Sequence, residues 1–341
     1  MGARRRRSLE SLSDEELLDL RLCDLGLRIE GTPLRARVER LYGELARSGL
    51  RFRPYVWLSA DWFTPDGVPG FAVPFFLAHP RLARLERRHM LEVEGGAYQW
   101  CMKLLRHETA HALDNAYGLH RRRRWRQLFG AFSTPYRATY LPRPTSRRYV
   151  LNLDYWYAQS HPCEDFAETF AVWLRPRSAW RRQYKGWPAL KKLQYVDDLM
   201  AEIRDQPPAL RGRGRPQALG SLRWTLREYY ERKQSHYRDD HAEQYDAPLR
   251  RVFSSAAPLP GRRESAARFL ARHRTALRRH VCAVTGQHPY LIRQVLNDLK
   301  LRCRQLRLRV HRPERDTLME ATALLTLLTR DYLSQPSEHR R

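Results

Sequence analysis

Two histidines four residues apart, His107 and His111, with Glu108 beside the first, constrain the fold of this chain more than any other feature in it. Residues four apart share one face of an α-helix, so both imidazoles can point at a single metal ion only if the segment is helical. The surroundings agree. Gly95-Gly96 breaks the chain just ahead, and a helix is expected from about 97 to 117. Glu108 then stands where a carboxylate can take a proton from a water activated by the metal. The same string also fits a helix with two surface histidines, so a second feature has to decide.

That feature is Glu164 and Glu168, another pair at i and i+4. They lie on a helix expected from near Pro162 to Leu174, whose other faces carry Phe166, Phe170 and Leu174. A catalytic zinc takes three protein ligands and keeps one position open. One carboxylate can supply the third ligand while the other accepts the second N–H of a ligand histidine and fixes its ring. Acidic residues are also favoured in a helix's first turn by its dipole. Taken with the histidine pair, however, the metal reading is the stronger one. A third histidine at the HExxHxxGxxH spacing would fall on Tyr117, and its glycine on Asp114, which excludes the metzincin arrangement. His120 and His161 remain as alternative ligands.

Leu105 to Tyr117, Leu119 to Trp125 and His161 to Ala171 resemble the corresponding stretches of the bacterial zinc-binding metallopeptidases of the gluzincin type. Gly70 to Pro80 is similar to the stretch that precedes their active-site helix, so the resemblance spans about 50–205. It implies an α+β, zincin-like catalytic core and hydrolysis of a peptide bond with one zinc ion per chain. It also implies Glu164 as the third ligand beside His107 and His111, Glu168 as the residue that orients a ligand histidine, and Glu108 as general base. Toxin-type relatives carry a tyrosine seven residues before the ligand glutamate, near the oxyanion. Here that position is Tyr157, with Tyr155 close by, and both also fit a packing role. Two departures stand out: Ala110 replaces a frequent glycine, and the cysteine-rich zinc ribbon of some relatives is missing.

Composition adds a partner question. The net charge is +26, and all but six of the 63 basic residues are arginine. A G+C-rich genome explains such a bias without function, yet the resulting field would attract acidic proteins or nucleic acid. Arg121 to Arg124, directly after the active-site helix, fit either a solvated helix end or a contact for an acidic substrate. The resemblance implies a peptide or protein substrate, and the charge leaves an acidic one open. Nucleic acid is disfavoured because only charge points to it. Two rival functions stand beside the peptidase: a zinc amidase acting on a non-protein substrate, and a basic binding protein whose zinc is structural.

The five scattered cysteines contain no CxxC pair, so neither a disulfide framework nor a zinc ribbon is legible. Arg4 to Arg7 lead into a polar, acidic stretch rather than an apolar one, and no run is long enough to span a membrane. A soluble, cytoplasmic protein is expected. Hydrophobic residues at 42% suffice for a sizeable core.

The chain reads as an N-terminal helical segment (1–50), the catalytic domain (51–205), a linker (206–220) containing Arg-Gly-Arg-Gly-Arg, and a C-terminal helical region (221–341). Ser13 with Glu16 forms a capping box, and Thr32-Pro33 opens a helix that Ser48-Gly49 stops. Strands are expected at 55–58 and 71–77, where Pro74 marks the second as an edge able to pair with an extended peptide. Helices near 264–284, 289–307 and 313–333 suggest a small bundle. His236, Asp239, Asp240 and His241 read as surface.

Overall fold

The computed structural model describes residues 8–90, 93–136, 143, 145–153, 156–236, 245–255, 264–285 and 289–334. The protein is mostly helical, with one small parallel sheet, and divides into two units, Met1–Ser235 and His236–Arg341.

The first unit holds α1 (Asp14–Leu18), α2 (Pro33–Arg47), β1 (Tyr55–Ser59), β2 (Gly70–Pro74), α3 (Pro80–Met90), α4 (Tyr98–Tyr117), α5 (Arg123–Phe129), α6 (Pro162–Leu174), α7 (Trp180–Gln183), α8 (Ala189–Ile203) and α9 (Leu226–His236). Ser13 accepts from the Glu16 amide while the Glu16 carboxylate accepts from the Ser13 amide, the reciprocal cap expected for α1. Thr32 caps α2 with Pro33 in its first turn. Helix α4 is the centre of the unit. Most of its residues are buried, from Cys101 to Ala116, because α2 and α6 both pack on it and its C-terminal turn is capped by Gly118 at φ 60°. Helix α8 covers the far side of α6.

Buried charge locks this stack together. Arg106, on α4, donates to both oxygens of Glu44 on α2 at 2.7 and 3.0 Å. Lys192, on α8, bonds Asp165 on α6. Neither pair adds much net stability over apolar packing of equal volume, but losing one partner would strand a buried charge at a cost of about 3–5 kcal/mol.

Strands β1 and β2 run parallel, Tyr55 opposite Gly70 and Ser59 opposite Pro74. A Cβ on Gly70 would lie 2.5 Å from the Tyr55 carbonyl oxygen, so only glycine admits the pairing. The expected strand 71–77 ends at Pro74, and Phe75–Ala78 turns as a 3₁₀ helix. β2 is an edge of this two-stranded sheet, as expected, but all five of its residues are buried, and the Ala72 amide on its free side donates to the Phe63 carbonyl.

Residues 206–220 are not a linker between domains. Tyr55, Trp57 and Ser59 of β1 donate to the carbonyls of Gly214, Pro216 and Gln217, and the Ala209 amide reaches the Ala116 carbonyl. Further on, Leu22 and Cys23 donate to Trp224 and Leu222, and Leu226 donates back to Leu20. The N-terminal segment and residues up to Ser235 therefore belong to one unit with the central helices. Such attachment runs through backbone groups, which a glycine- and arginine-rich composition does not reveal.

The second unit packs α10 (Asp246–Val252), α11 (Ala266–Arg272), α12 (Arg274–Thr285), α13 (Pro289–Gln305) and α14 (Glu314–Ser334) around Phe253, Phe269, Leu277, Val295 and Leu325. The helix expected over 264–284 is broken at His273 into α11 and α12. No described helix is long and apolar enough to cross a membrane.

Candidate metal centre

Helix α4 delivers His107, Glu108 and His111, and α6, packed beside it, delivers Glu164 and Glu168. The Glu164 Oε2 atom lies 3.0 Å from His107 Nε2 and 3.3 Å from His111 Nε2, and the two nitrogens are 3.1 Å apart. These three side chains form the one group of His, Cys, Asp or Glu among the described residues placed to hold a metal ion. A tetrahedral ion bonded at about 2.0–2.1 Å spaces its ligands by about 3.3–3.4 Å, so the triangle is close to the size zinc requires. Two imidazole nitrogens so near each other and one carboxylate oxygen are stable only with a shared proton or cation between them. Two imidazoles and one carboxylate suit zinc among the common divalent ions. The residues fit the group.

Burial opposes charge on the His107 ring, but its hydrogen bonds to the Glu164 and Glu168 carboxylates prevail and hold its pKa well above the usual value. For Glu164, burial would raise the pKa, yet the two histidines hold it well below the usual carboxylate range. His111 is raised in the same way against its own burial, chiefly by Glu164. His111 keeps 19% of its side chain exposed against 4% for His107, so the centre opens to solvent on its side.

Glu168 does not point at the triangle. Its Oε1 lies 2.9 Å from His107 Nδ1 and accepts from Asn152 Nδ2 at 2.8 Å, while its Oε2 accepts from the Leu153 amide at 2.6 Å. Three partners fix this carboxylate, and it in turn sets the tautomer of His107, leaving Nε2 free to ligate. The Lys103 ammonium, also on α4, binds the Asn152 carbonyl and anchors the loop that supplies two of those partners.

Glu108 is not one of the three converging side chains. Its Oε2 accepts from the Thr64 hydroxyl at 2.8 Å, and burial pushes its pKa up. The Glu94 carboxyl is raised to about 7, first by burial and then by Asp61, with Glu108 contributing. The surroundings of Glu108 are thus locally acidic despite the net charge of +26.

Sequence reasoning missed Thr64, Asn152 and Tyr136. The Tyr136 hydroxyl donates to Glu164 Oε1 at 2.7 Å, on the oxygen away from the histidines. Its ring stacks on His161 at 3.8 Å. Tyr136 follows Pro135 in a loop and Thr64 precedes Pro65, contexts with no periodicity or motif to betray them. Tyr157 lies beside the centre, its ring 5.6 Å from that of His107. Tyr155 falls outside the described residues, as do Asp239, Asp240 and His241.

The alternative ligands are occupied elsewhere. His120 bonds Asp114 through its ring at 2.8 Å and stacks on Phe132. His161 caps α6, accepting from the Cys163 amide, and its other nitrogen meets the Thr134 carbonyl. The arginine run straddles a turn into α5, with Arg122 paired to Glu202 and Arg124 to Asp198. Set against known proteins, the chain matches no family model, no curated protein and no solved structure.

Proposed function

We propose that this protein is a zinc-dependent metallopeptidase with a zincin-like core in its first unit. The observation that carries the reading is the division of labour among five carboxylate and imidazole side chains on two packed helices. His107, His111 and Glu164 converge on one point, Glu168 orients His107, and Glu108 stands beside them without joining the ligand set.

His107 Nε2, His111 Nε2 and Glu164 Oε2 would hold the ion, which when bound lowers the pKa of water and polarises the scissile carbonyl. Glu108 takes the proton of the attacking water and passes it to the leaving amine. Thr64 holds one oxygen of that carboxylate and leaves the other for the proton. Tyr136 ties Oε1 of Glu164, which keeps the carboxylate presenting a single oxygen toward the histidines. Tyr157, next to His107, is the candidate donor for the developing oxyanion. A purely structural zinc closes all its positions with protein groups. Three ligands beside a buried, non-ligating Glu108 favour hydrolysis.

The test is Glu108→Gln, compared with wild type by metal analysis and by proteome-wide cleavage profiling. The variant should stay folded, keep one zinc per chain and lose at least about 100-fold in turnover, the scale of a lost general base. Equal cleavage by both proteins would remove Glu108 as the base. Absence of cleavage by zinc-loaded wild type on peptides and on non-protein amides would refute the hydrolase reading.

A further inference from the structure

Asn115 lies on α4 seven residues beyond Glu108 and four beyond His111, so the three side chains share one face of the helix. It is not among the converging ligands. Its carboxamide instead closes on the turn that follows Thr64. Nδ2 donates to the Pro65 carbonyl at 2.9 Å and to the Val68 carbonyl at 3.0 Å, and Oδ1 accepts from the Gly67 amide at 3.2 Å. The Val68 amide donates to the Pro65 carbonyl at 3.2 Å and completes the turn, with Gly67 at φ 68° in its left-handed position.

Asp66 and Gly67 are exposed at the tip of this turn. Backbone polar groups in such a loop ordinarily turn to water and leave the chain free to move; here one side chain holds three of them. The residue just before the turn is Thr64, whose hydroxyl reaches Glu108 Oε2 at 2.8 Å and the Glu108 carbonyl at 3.3 Å. The loop is thus tied to α4 at two places, at Glu108 and about two turns further on, roughly 10 Å along the axis. His111, the more exposed of the two histidines, lies between them in the helix. A loop anchored on another element would carry Thr64 away from the carboxylate whenever the two elements shifted. Anchored on the helix that bears Glu108, it moves with the base.

We propose that Asn115 is a positioning residue for Glu108: it fixes the loop that carries Thr64, and Thr64 fixes one oxygen of the carboxylate. The inference rests on the peptidase reading for the role of Glu108. It adds a residue that hydrogen-bonds neither the metal ligands nor the base and acts on the base through a loop. Proton transfer depends on such placement, since a displacement of about 1 Å caused far from the reacting atoms can cost about 100-fold in rate.

Crystal structures and kinetics of the full-length, zinc-loaded chain test it. The variants are Asn115→Ala and, should that one fail to fold, the isosteric Asn115→Asp, which turns both donors into a carboxylate facing two carbonyls. In either, residues 64–68 should lift from α4 and the separation of Thr64 Oγ1 from Glu108 Oε2 should grow beyond hydrogen-bonding distance, with one zinc still bound. On a fluorogenic peptide containing a bond that wild type cleaves, kcat should fall about 10–100-fold while KM changes by less than about threefold. Thr64→Val should lose a similar factor. The Thr64→Val/Asn115→Ala double variant should lose no more than the larger single loss, because Asn115 acts through Thr64. Tyr117→Phe removes a hydroxyl that donates to the Gln206 carbonyl from the same end of α4, and should leave kcat unchanged. Losses that multiply in the double variant, or full kcat in an Asn115 variant whose Tm has fallen, reduce Asn115 to a clamp on the fold and overturn the proposal. A Thr64–Glu108 bond that survives in the Asn115 variants overturns it as well. If zinc-loaded wild type cleaves no peptide, the peptidase reading fails, and the crystal structures alone still decide whether Asn115 places Thr64 on Glu108.

Discussion

Two regions of this molecule bury charge, and they do so in opposite ways. Around His107 and Glu164, most contacts pair groups of complementary character: imidazole against carboxylate, carboxylate against amide, hydroxyl against carboxylate. Around Lys300, the nearest charges are mostly of its own sign. The first region converges three ligand atoms on one point that a cation would complete. In the second, burial and the neighbouring arginines both disfavour the charged form of Lys300. Burial alone therefore does not identify a site. What discriminates is whether the protein supplies the counter-charge itself, because an unpaired buried ion costs several kcal/mol while a paired one costs little.

The sharpest way to break the comparison is to unbalance the balanced site. Glu164→Ala removes the carboxylate on which both histidines converge, and zinc content should fall from one per chain to nearly none. Elemental analysis after dialysis checks it; retention of zinc would shift the ligand role elsewhere. Glu168→Ala is expected to be milder. The ligand triangle persists but His107 loses its orienting acceptor, so zinc affinity measured by chelator competition should drop about 10–100-fold. If Glu168→Ala empties the site and Glu164→Ala does not, the two roles are exchanged.

Lys300→Met attacks the other side. The folded-state pKa of Lys300, about 8, lies below the ordinary 10.5, so between those values the unfolded chain binds more protons. Wild-type stability should therefore rise with pH across that window. The variant escapes the cost of the buried cation. It should be more stable than wild type by up to about 3 kcal/mol below pH 8, with the gain vanishing toward pH 10.5. Urea unfolding in phosphate-free buffer reads this directly, and a gain independent of pH would assign it to packing. The smallest effect is expected for Tyr136→Phe. Loss of a single hydroxyl at the rim of the centre should weaken zinc about 3–10-fold without unfolding. An unchanged affinity would leave Tyr136 as a packing partner of His161 only.

The legibility of the two helices in the first unit had a physical basis. His107 and His111, like Glu164 and Glu168, are local pairs whose meaning depends only on helix geometry, and α4 and α6 run where the glycine pair, Pro162 and Gly118 place their ends. The C-terminal helices were legible for the same reason, apart from the break at His273. The segment 206–220 was misread because its arginines and glycines offer no apolar pattern, whereas its attachment to β1 is made through carbonyl oxygens. Open pairing at β2 was expected from Pro74, yet Phe63 reaches Ala72 from a neighbouring loop.

The sequence by itself determined which residues can act together within one helix: the histidine pair with Glu108 at one place and the glutamate pair at another. Spacing of 3.6 residues per turn decides such matters without reference to the rest of the chain. Only the tertiary structure decided which groups meet across helices and loops. It turned Glu164 toward the histidines and Glu168 behind His107, set Thr64 on Glu108 and Tyr136 on Glu164, and retired His120 and His161 to structural bonds. The reason is that these partners lie up to 61 residues apart in sequence. Their meeting depends on how α2, α4 and α6 pack and on where irregular loops return, and the core shared by many side chains specifies this where no short pattern does.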